Sequence, residues 1–198
     1  MSNIAILGGT FNPFHIGHYE MLSALNEIEE IDKIIILPDK IPPHKESDFL
    51  ADDADRIKMC AIAAEDFEKA TVSTLEFERE GKSYTYDTVR ILKEKYPSDE
   101  FFFCLGGDML IYFDKWYKYE ELLKEISFIA FRRSDTDNKV FDDCIKKFTK
   151  MGMRAKVIER QISAVSSTEI RNDFKEAKNL LPQKIYEFLT QKGIYNDR

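Results

Sequence analysis

Apolar and polar positions along this chain follow two alternating rhythms. Ile4-Ala5-Ile6-Leu7, Lys33 to Leu37, Phe101 to Leu105 and Ser127 to Phe131 are short, nearly continuous apolar runs. Such runs read as strands buried on both faces. Between them apolar residues recur at helical spacing. Tyr19 to Leu25 carries Met21, Leu22 and Leu25; Asp55 to Ala64 carries Ile57, Cys60, Ala61 and Ala64 as its inward face. Thr85 to Tyr96 sets Val89, Leu92 and Tyr96 on one side, with Pro97 past its end. Tyr119 to Ile126 uses Leu122, Leu123 and Ile126, and Val140 to Met151 is amphipathic. Each has the one-sided apolar stripe of a helix lying on a core. Thr71-Val72-Ser73 and Ala155-Lys156-Val157-Ile158 read as shorter strands, and Glu76-Phe77-Glu78 as a further one ending at Glu80-Gly81. Ser167 to Ala177 and Pro182 to Lys192 read as closing helices, the second stopped by Gly193. Strand and helix alternate throughout, with no internal repeat or linker. That pattern predicts an α/β fold: one doubly wound parallel sheet flanked by helices, with residues 1–198 as a single domain.

The unusual residues fall after the strands. Gly8-Gly9-Thr10-Phe11-Asn12-Pro13-Phe14-His15-Ile16-Gly17-His18 joins the first strand to the first helix. Its glycines predict a tight turn whose N–H groups an anion can approach, with the positive end of the helix pointing at the same place. His15 and His18 are three residues apart, so both rings lie on one side if the helix starts near them. Gly17 removes a side chain that would block the approach. Gly106-Gly107-Asp108, Arg132-Arg133 and Ser166 to Arg171 also follow strands. In an open α/β sheet such loops gather at the carboxyl edge, where ligands bind. Ser166 with Glu169 three residues on reads as a capping box, and the same geometry offers N–H groups and hydroxyls to phosphate, with Arg171 one turn in. Trp116-Tyr117 reads either as core aromatics or as a flat stacking surface beside Asp114, Lys115 and Lys118. Pro42-Pro43-His44-Lys45 is a proline-stiffened turn within a long strand-to-helix connection.

Composition narrows the class. The length of 198 residues suits one α/β domain, and 43% hydrophobic content is ordinary. A net charge of −7 argues against a general nucleic-acid or membrane-surface binder, so any polyanion must meet a local basic pocket. Cys60, Cys104 and Cys144 lack metal-ligand spacing; Cys104, inside an apolar run, reads as a buried thiol. Free thiols and the lack of a signal-type or membrane-length apolar stretch lead to the expectation of a cytoplasmic protein.

Gly9-Thr10-Phe11 followed by His15-Ile16-Gly17-His18 resembles the signature of the HxGH nucleotidyltransferases, whose fold is Rossmann-like. Ser166-Ser167-Thr168-Glu169-Ile170-Arg171 is similar to the motif that closes the triphosphate site in that superfamily. Ser83-Tyr84-Thr85 through Thr88, Gly106 with Asp108, Trp116-Tyr117 and Pro42 to Lys45 look like the bacterial nicotinate mononucleotide adenylyltransferases. The likeness runs from Gly8 to the C-terminal helices. It departs at Asn12, where many relatives have Asp, at Ala164-Val165 and at Gly107, so no role is given to Asn12.

The resemblance implies adenylyl transfer from ATP to nicotinate mononucleotide, with nicotinate adenine dinucleotide and pyrophosphate as products. It implies His15, His18 and Arg171 as the catalytic groups. It implies that Gly8, Gly9, Thr10, Phe11, Gly17, Gly106, Asp108, Arg133, Ser166, Ser167 and Thr168 join them around ATP. Thr10, His44, Lys45, Thr85, Trp116 and Tyr117 are implied on the acceptor side. Mg²⁺ is expected on the ATP phosphates, without a protein cage. Partners are expected to be the two small substrates, with no nucleic acid or membrane, in a monomer or a homo-oligomer such as a dimer. The acceptor is a phosphate monoester, with a second pKa of about 6, and is mostly dianionic at pH 7. Catalysis then needs alignment and charge stabilisation rather than a general base. Two other readings remain open. One is an HxGH transferase with another acceptor: nicotinamide mononucleotide, phosphopantetheine or a CTP-linked alcohol. The other is a nucleotide sensor without turnover, against which both histidines and Arg171 argue.

Overall fold

The computed structural model describes residues 1–41 and 49–195. Six strands form one parallel sheet: β1 (Asn3–Gly9), β2 (Lys33–Pro38), β3 (Ala70–Val72), β4 (Glu100–Gly106), β5 (Ser127–Arg133) and β6 (Arg154–Ile162). Their spatial order is β3-β2-β1-β4-β5-β6. Among the described residues eight α-helices connect and close the strands: α1 (Ile16–Glu27), α2 (Asp53–Ala64), α3 (Thr85–Lys95), α4 (Gly107–Ile111), α5 (Tyr119–Glu125), α6 (Asn138–Lys150), α7 (Ser167–Asn172) and α8 (Gln183–Lys192). The α/β, doubly wound reading of the sequence holds.

Strand pleating explains why the first run is apolar throughout. Successive side chains point to opposite faces. Ala5 and Leu7 pack on one face with Leu22 and Leu25 of α1, Met59 of α2, and Ile185 and Leu189 of α8. Ile4 and Ile6 pack on the other with Phe103 and Leu105 of β4, Leu92 of α3 and Phe128 of β5. Cys104 is 1% exposed, as its setting predicted, and burial pushes its thiol pKa far up, as it does for Cys60.

The order of strands places the site. Chain progression runs β1 to β2 to β3 on one side, then returns to β4 beside β1 and continues outward. The sheet therefore reverses direction between β1 and β4, and a crevice opens beyond their carboxyl ends. Thr10, Phe11, Asn12 and His15 after β1, and Gly106 at the end of β4, line it.

Several boundaries differ from the periodicity. Leu75–Glu78 is a 3₁₀ turn rather than a strand. Thr88 Oγ1 donates to the buried Glu76, and Arg79 approaches that carboxylate at 3.6 Å; these polar contacts turn the segment inward. In α2 the inward residues are Arg56, Met59, Cys60, Ile62 and Ala63, so Ile57, Ala61 and Ala64 are only half-buried. Arg56 sits within the inward stripe, so the apolar residues alone point to a rotated face. Tyr96 caps α3 and is 41% exposed. The helix expected to reach Ala177 stops at Asn172: Asp173 leaves helical geometry, and Phe174 stacks on Tyr186 of α8 at 5.4 Å. β6 runs on past Ile158 to Ile162 through polar residues, which suit an edge strand.

Candidate active site

A cavity of about 720 Å³ lies at the crevice. His15 caps α1, and His18 occupies its third position. The His15 backbone N–H donates to Nδ1 of His18 at 3.3 Å. A ring that accepts at Nδ1 carries its proton on Nε2 when neutral. The two imidazoles stack with centroids 3.7 Å apart and planes 21° from parallel. Phe11 and Phe14 press on His18 at 5.0 and 5.3 Å. His18 is therefore held in both tautomer and orientation. The first turn of α1 holds no acidic side chain to offset its positive end.

The turn itself differs from expectation. Gly8 and Gly9 end β1, and the residue in left-handed geometry is Phe11, at φ 49°. Gly17 clears space for the protein rather than for a ligand. A Cβ there would lie 3.0 Å from the Ser163 carbonyl oxygen and 3.3 Å from the His15 ring. The missing side chain thus lets the end of β6 approach the histidine pair.

At the start of α7, Ser166 Oγ accepts from the Glu169 N–H at 3.1 Å, as a helix cap should. Ser167 Oγ donates to the Pro13 carbonyl at 3.0 Å. Arg171 donates to the Asn12 carbonyl at 2.7 Å and to Thr168 Oγ1 at 3.1 Å. This segment is tied directly to the β1 loop. Arg133, just past the bulge between β5 and β6, lies 3.2 Å from Asp108 and 3.4 Å from Asp135. Its neighbour Arg132 instead serves the surface, paired with Asp142 and Glu159.

The opposite wall is aromatic. Trp116 meets Phe103 edge-on at 5.7 Å and Phe113 at 5.2 Å while lining the cavity. One edge of the Trp is therefore core and another faces the cavity. Tyr117 is 43% exposed and lies 4.6 Å from Tyr84. Lys118, in left-handed geometry, places its ammonium 4.7 Å above Tyr86 and 5.2 Å from Tyr117. Thr85 opens α3, where first-turn N–H groups lack helical partners.

The cavity brings together Gly8, Gly9, Thr10, Phe11, His15, Gly17, His18, Thr85, Gly106, Asp108, Trp116, Tyr117, Arg133, Ser166, Ser167, Thr168 and Arg171. His44 and Lys45 fall outside the described residues. Sequence reasoning missed Asp39 and Glu76, which also line the cavity, and Asn12, to which it gave no role. It also missed Arg56 behind them. Arg56 is fully buried and donates to the carbonyls of Thr10 at 3.0 Å, Asp39 at 2.6 Å and Ala51 at 3.3 Å, with Asp53 at 2.6 Å. A charged residue at an apolar helical position was the available signal.

Among the described residues no group of three or more His, Cys, Asp or Glu side chains could hold a metal ion. No described helix is long and apolar enough to cross a membrane.

A parallel sheet reversing beside a histidine-bearing helix start is the architecture of a nucleotide-handling α/β protein. The chain belongs to the cytidylyltransferase-like family, whose pattern matches residues 6–173. Within it, the chain is similar to the nicotinate-nucleotide adenylyltransferase of Bacillus subtilis, at 36% identity over 98% of this chain and 99% of the relative. It is likewise similar to the probable nicotinate-nucleotide adenylyltransferase of Listeria innocua, at 35% identity over 98% of each. Among solved structures, the Plasmodium falciparum nicotinic acid mononucleotide adenylyltransferase complexed with NaAD superposes with a TM-score of 0.81. It covers 100% of this chain and 99% of its own, at 22% identity, which speaks to the shared fold.

Proposed function

We propose that the chain transfers the adenylyl group of ATP to nicotinate mononucleotide, a step in making NAD. A phosphate oxygen of the acceptor attacks the α-phosphorus of ATP. The bond to the β-phosphate breaks, and pyrophosphate leaves with the electron pair. The observation that carries this reading is the stacked His15–His18 pair at the start of α1, sharing one cavity with Arg171 and Trp116.

Each side chain has a role in keeping with its position. Nε2–H of His18 and the His15 ring stabilise charge moving onto the bridging and β-phosphate oxygens. Arg171, with the α7 N–H groups, holds the distal phosphates. Asp108, pre-paired with Arg133, faces a ribose hydroxyl. Trp116 lies against the pyridine ring, and backbone donors at Thr85 and Tyr117 meet its carboxylate. His44 and Lys45, which lie outside the described residues, are proposed to bind the acceptor. A Mg²⁺ ion would be held chiefly through the substrate's phosphates and water rather than by side chains of this chain, and would offset phosphate charge during transfer.

A pyrophosphate-release assay with a panel of acceptors tests the reading. Nicotinate mononucleotide should be the preferred acceptor. Equal kcat/KM for its amide would transfer the assignment to nicotinamide mononucleotide, and no release with either would reject adenylyl transfer.

A further inference from the structure

We propose that Tyr195 and Asn12 form a brace that positions Arg171 for the triphosphate. The inference rests on the reading of Arg171 as a phosphate-holding group.

The Tyr195 hydroxyl donates to Oδ1 of Asn12 at 2.6 Å, linking positions 183 residues apart. Both residues are buried, at 4% and 2% exposure. Asn12 uses both ends of its amide. Oδ1 also accepts from the Ala51 N–H at 3.1 Å, and Nδ2 donates to the Phe49 carbonyl at 2.8 Å. A backbone N–H on one side and a carbonyl on the other allow one orientation of the amide only. The same residue's carbonyl oxygen accepts from Arg171 at 2.7 Å. The side chain of Asn12 thus fixes the peptide that in turn fixes the guanidinium.

The backbone on both sides of this bond is unusual. Phe11, next to Asn12, has φ 49°, and Tyr195 has φ 69°. Together with Lys118 they are the non-glycine residues in left-handed geometry among those described. Aromatic residues persist there only when their surroundings over-determine them. The surroundings of Tyr195 are Phe49 at 5.6 Å and Phe174 at 5.9 Å, which hold the ring. Packing alone would be satisfied by a phenylalanine. Among the described residues, the hydroxyl's hydrogen bond is the one to Asn12.

Tyr195→Phe separates the two, since it keeps the ring and removes the bond. Affinity for a non-hydrolysable ATP analogue, measured calorimetrically, should fall roughly 3- to 10-fold, the equivalent of one buried hydrogen bond. KM for ATP should rise in step, while KM for nicotinate mononucleotide stays unchanged. If the brace acts through Asn12, adding Tyr195→Phe to Asn12→Ala should cost nothing further. Unchanged analogue affinity in Tyr195→Phe, with or without a lower melting temperature, would overturn the proposal. So would fully additive losses in the double variant, or equal losses toward ATP and acceptor. If the unaltered protein releases no pyrophosphate, the proposed reaction fails, yet analogue binding still tests the brace.

Discussion

The two walls of the cavity are built on different principles. The wall formed by the β1 loop and α7 is cross-tied by hydrogen bonds: His15 to His18, Ser167 to Pro13, and Arg171 to Asn12. Its partners are mostly backbone groups, which side-chain rotation cannot displace. The wall around Trp116 is made of rings in edge and tilted contacts, with Tyr117 and Tyr112 exposed at 43% and 66%. A polar, preorganised wall suits phosphates, whose charge shifts during transfer and rewards fixed dipoles. A ring-lined wall suits a flat heterocycle, for which area and stacking matter more than the exact placement of a charge. Changes on the first wall should therefore reduce turnover. Changes on the second should reduce acceptor affinity.

The largest effect should come from His18→Ala. Losing a fixed donor aimed at developing charge should lower kcat by about 10²- to 10³-fold, with a smaller loss of ATP affinity. His15→Ala should act in the same direction with more effect on binding. Near-normal kcat in either variant, by steady-state assay, would place the transition-state charge elsewhere.

Arg171→Lys comes next. A point charge cannot keep the bond to the Asn12 carbonyl, hold Thr168 and grip phosphate together. We expect kcat/KM for ATP to drop about 10- to 100-fold, equivalent to roughly 1.4–2.7 kcal/mol, without a change in acceptor KM. An effect confined to the acceptor would put Arg171 on the wrong wall.

Gly17→Ala should cost about 1–3 kcal/mol of stability, read by denaturant titration, because the obstructing Ser163 oxygen belongs to the backbone. It should lower kcat through the displaced His15 ring. A stable, fully active variant would show that β6 can move away freely.

Trp116→Ala should raise acceptor KM about 10-fold through lost stacking and leave kcat for bound substrate nearly intact. The preference for acid over amide should survive, since the donors to the carboxylate are backbone groups. The smallest effect concerns the thiols. Burial raises the pKa of all three thiols, but Cys60 and Cys104 are also closed to reagent, so only the half-buried Cys144 should take up iodoacetamide in the folded protein, as intact mass would show. Labelling at Cys104 would contradict the packing of β4.

Local pattern carried much of this protein. Continuous apolar runs marked β1, β2, β4 and β5 because strands covered on both faces have no polar side to show. The β1 loop, the Ser166 cap and Trp116-Tyr117 were legible because their chemistry lies in consecutive residues. What escaped depended on partners distant in sequence. Arg56 sits at an apolar position of α2 because carbonyls from Thr10, Asp39 and Ala51 converge on it, and no window around residue 56 contains all of them. The turn at Leu75–Glu78 follows the contact of Thr88 with Glu76 rather than its own alternation. Asn12 looked like a departure from a motif, yet it joins Phe49, Ala51, Arg171 and Tyr195. By itself the sequence determined which elements form and which residues carry chemistry, because periodicity and loop composition are local. Only the tertiary structure decided that β1 and β4 are neighbours, and so which loops share one cavity. Strand order is settled by packing between segments far apart in the chain, where local propensity has no say.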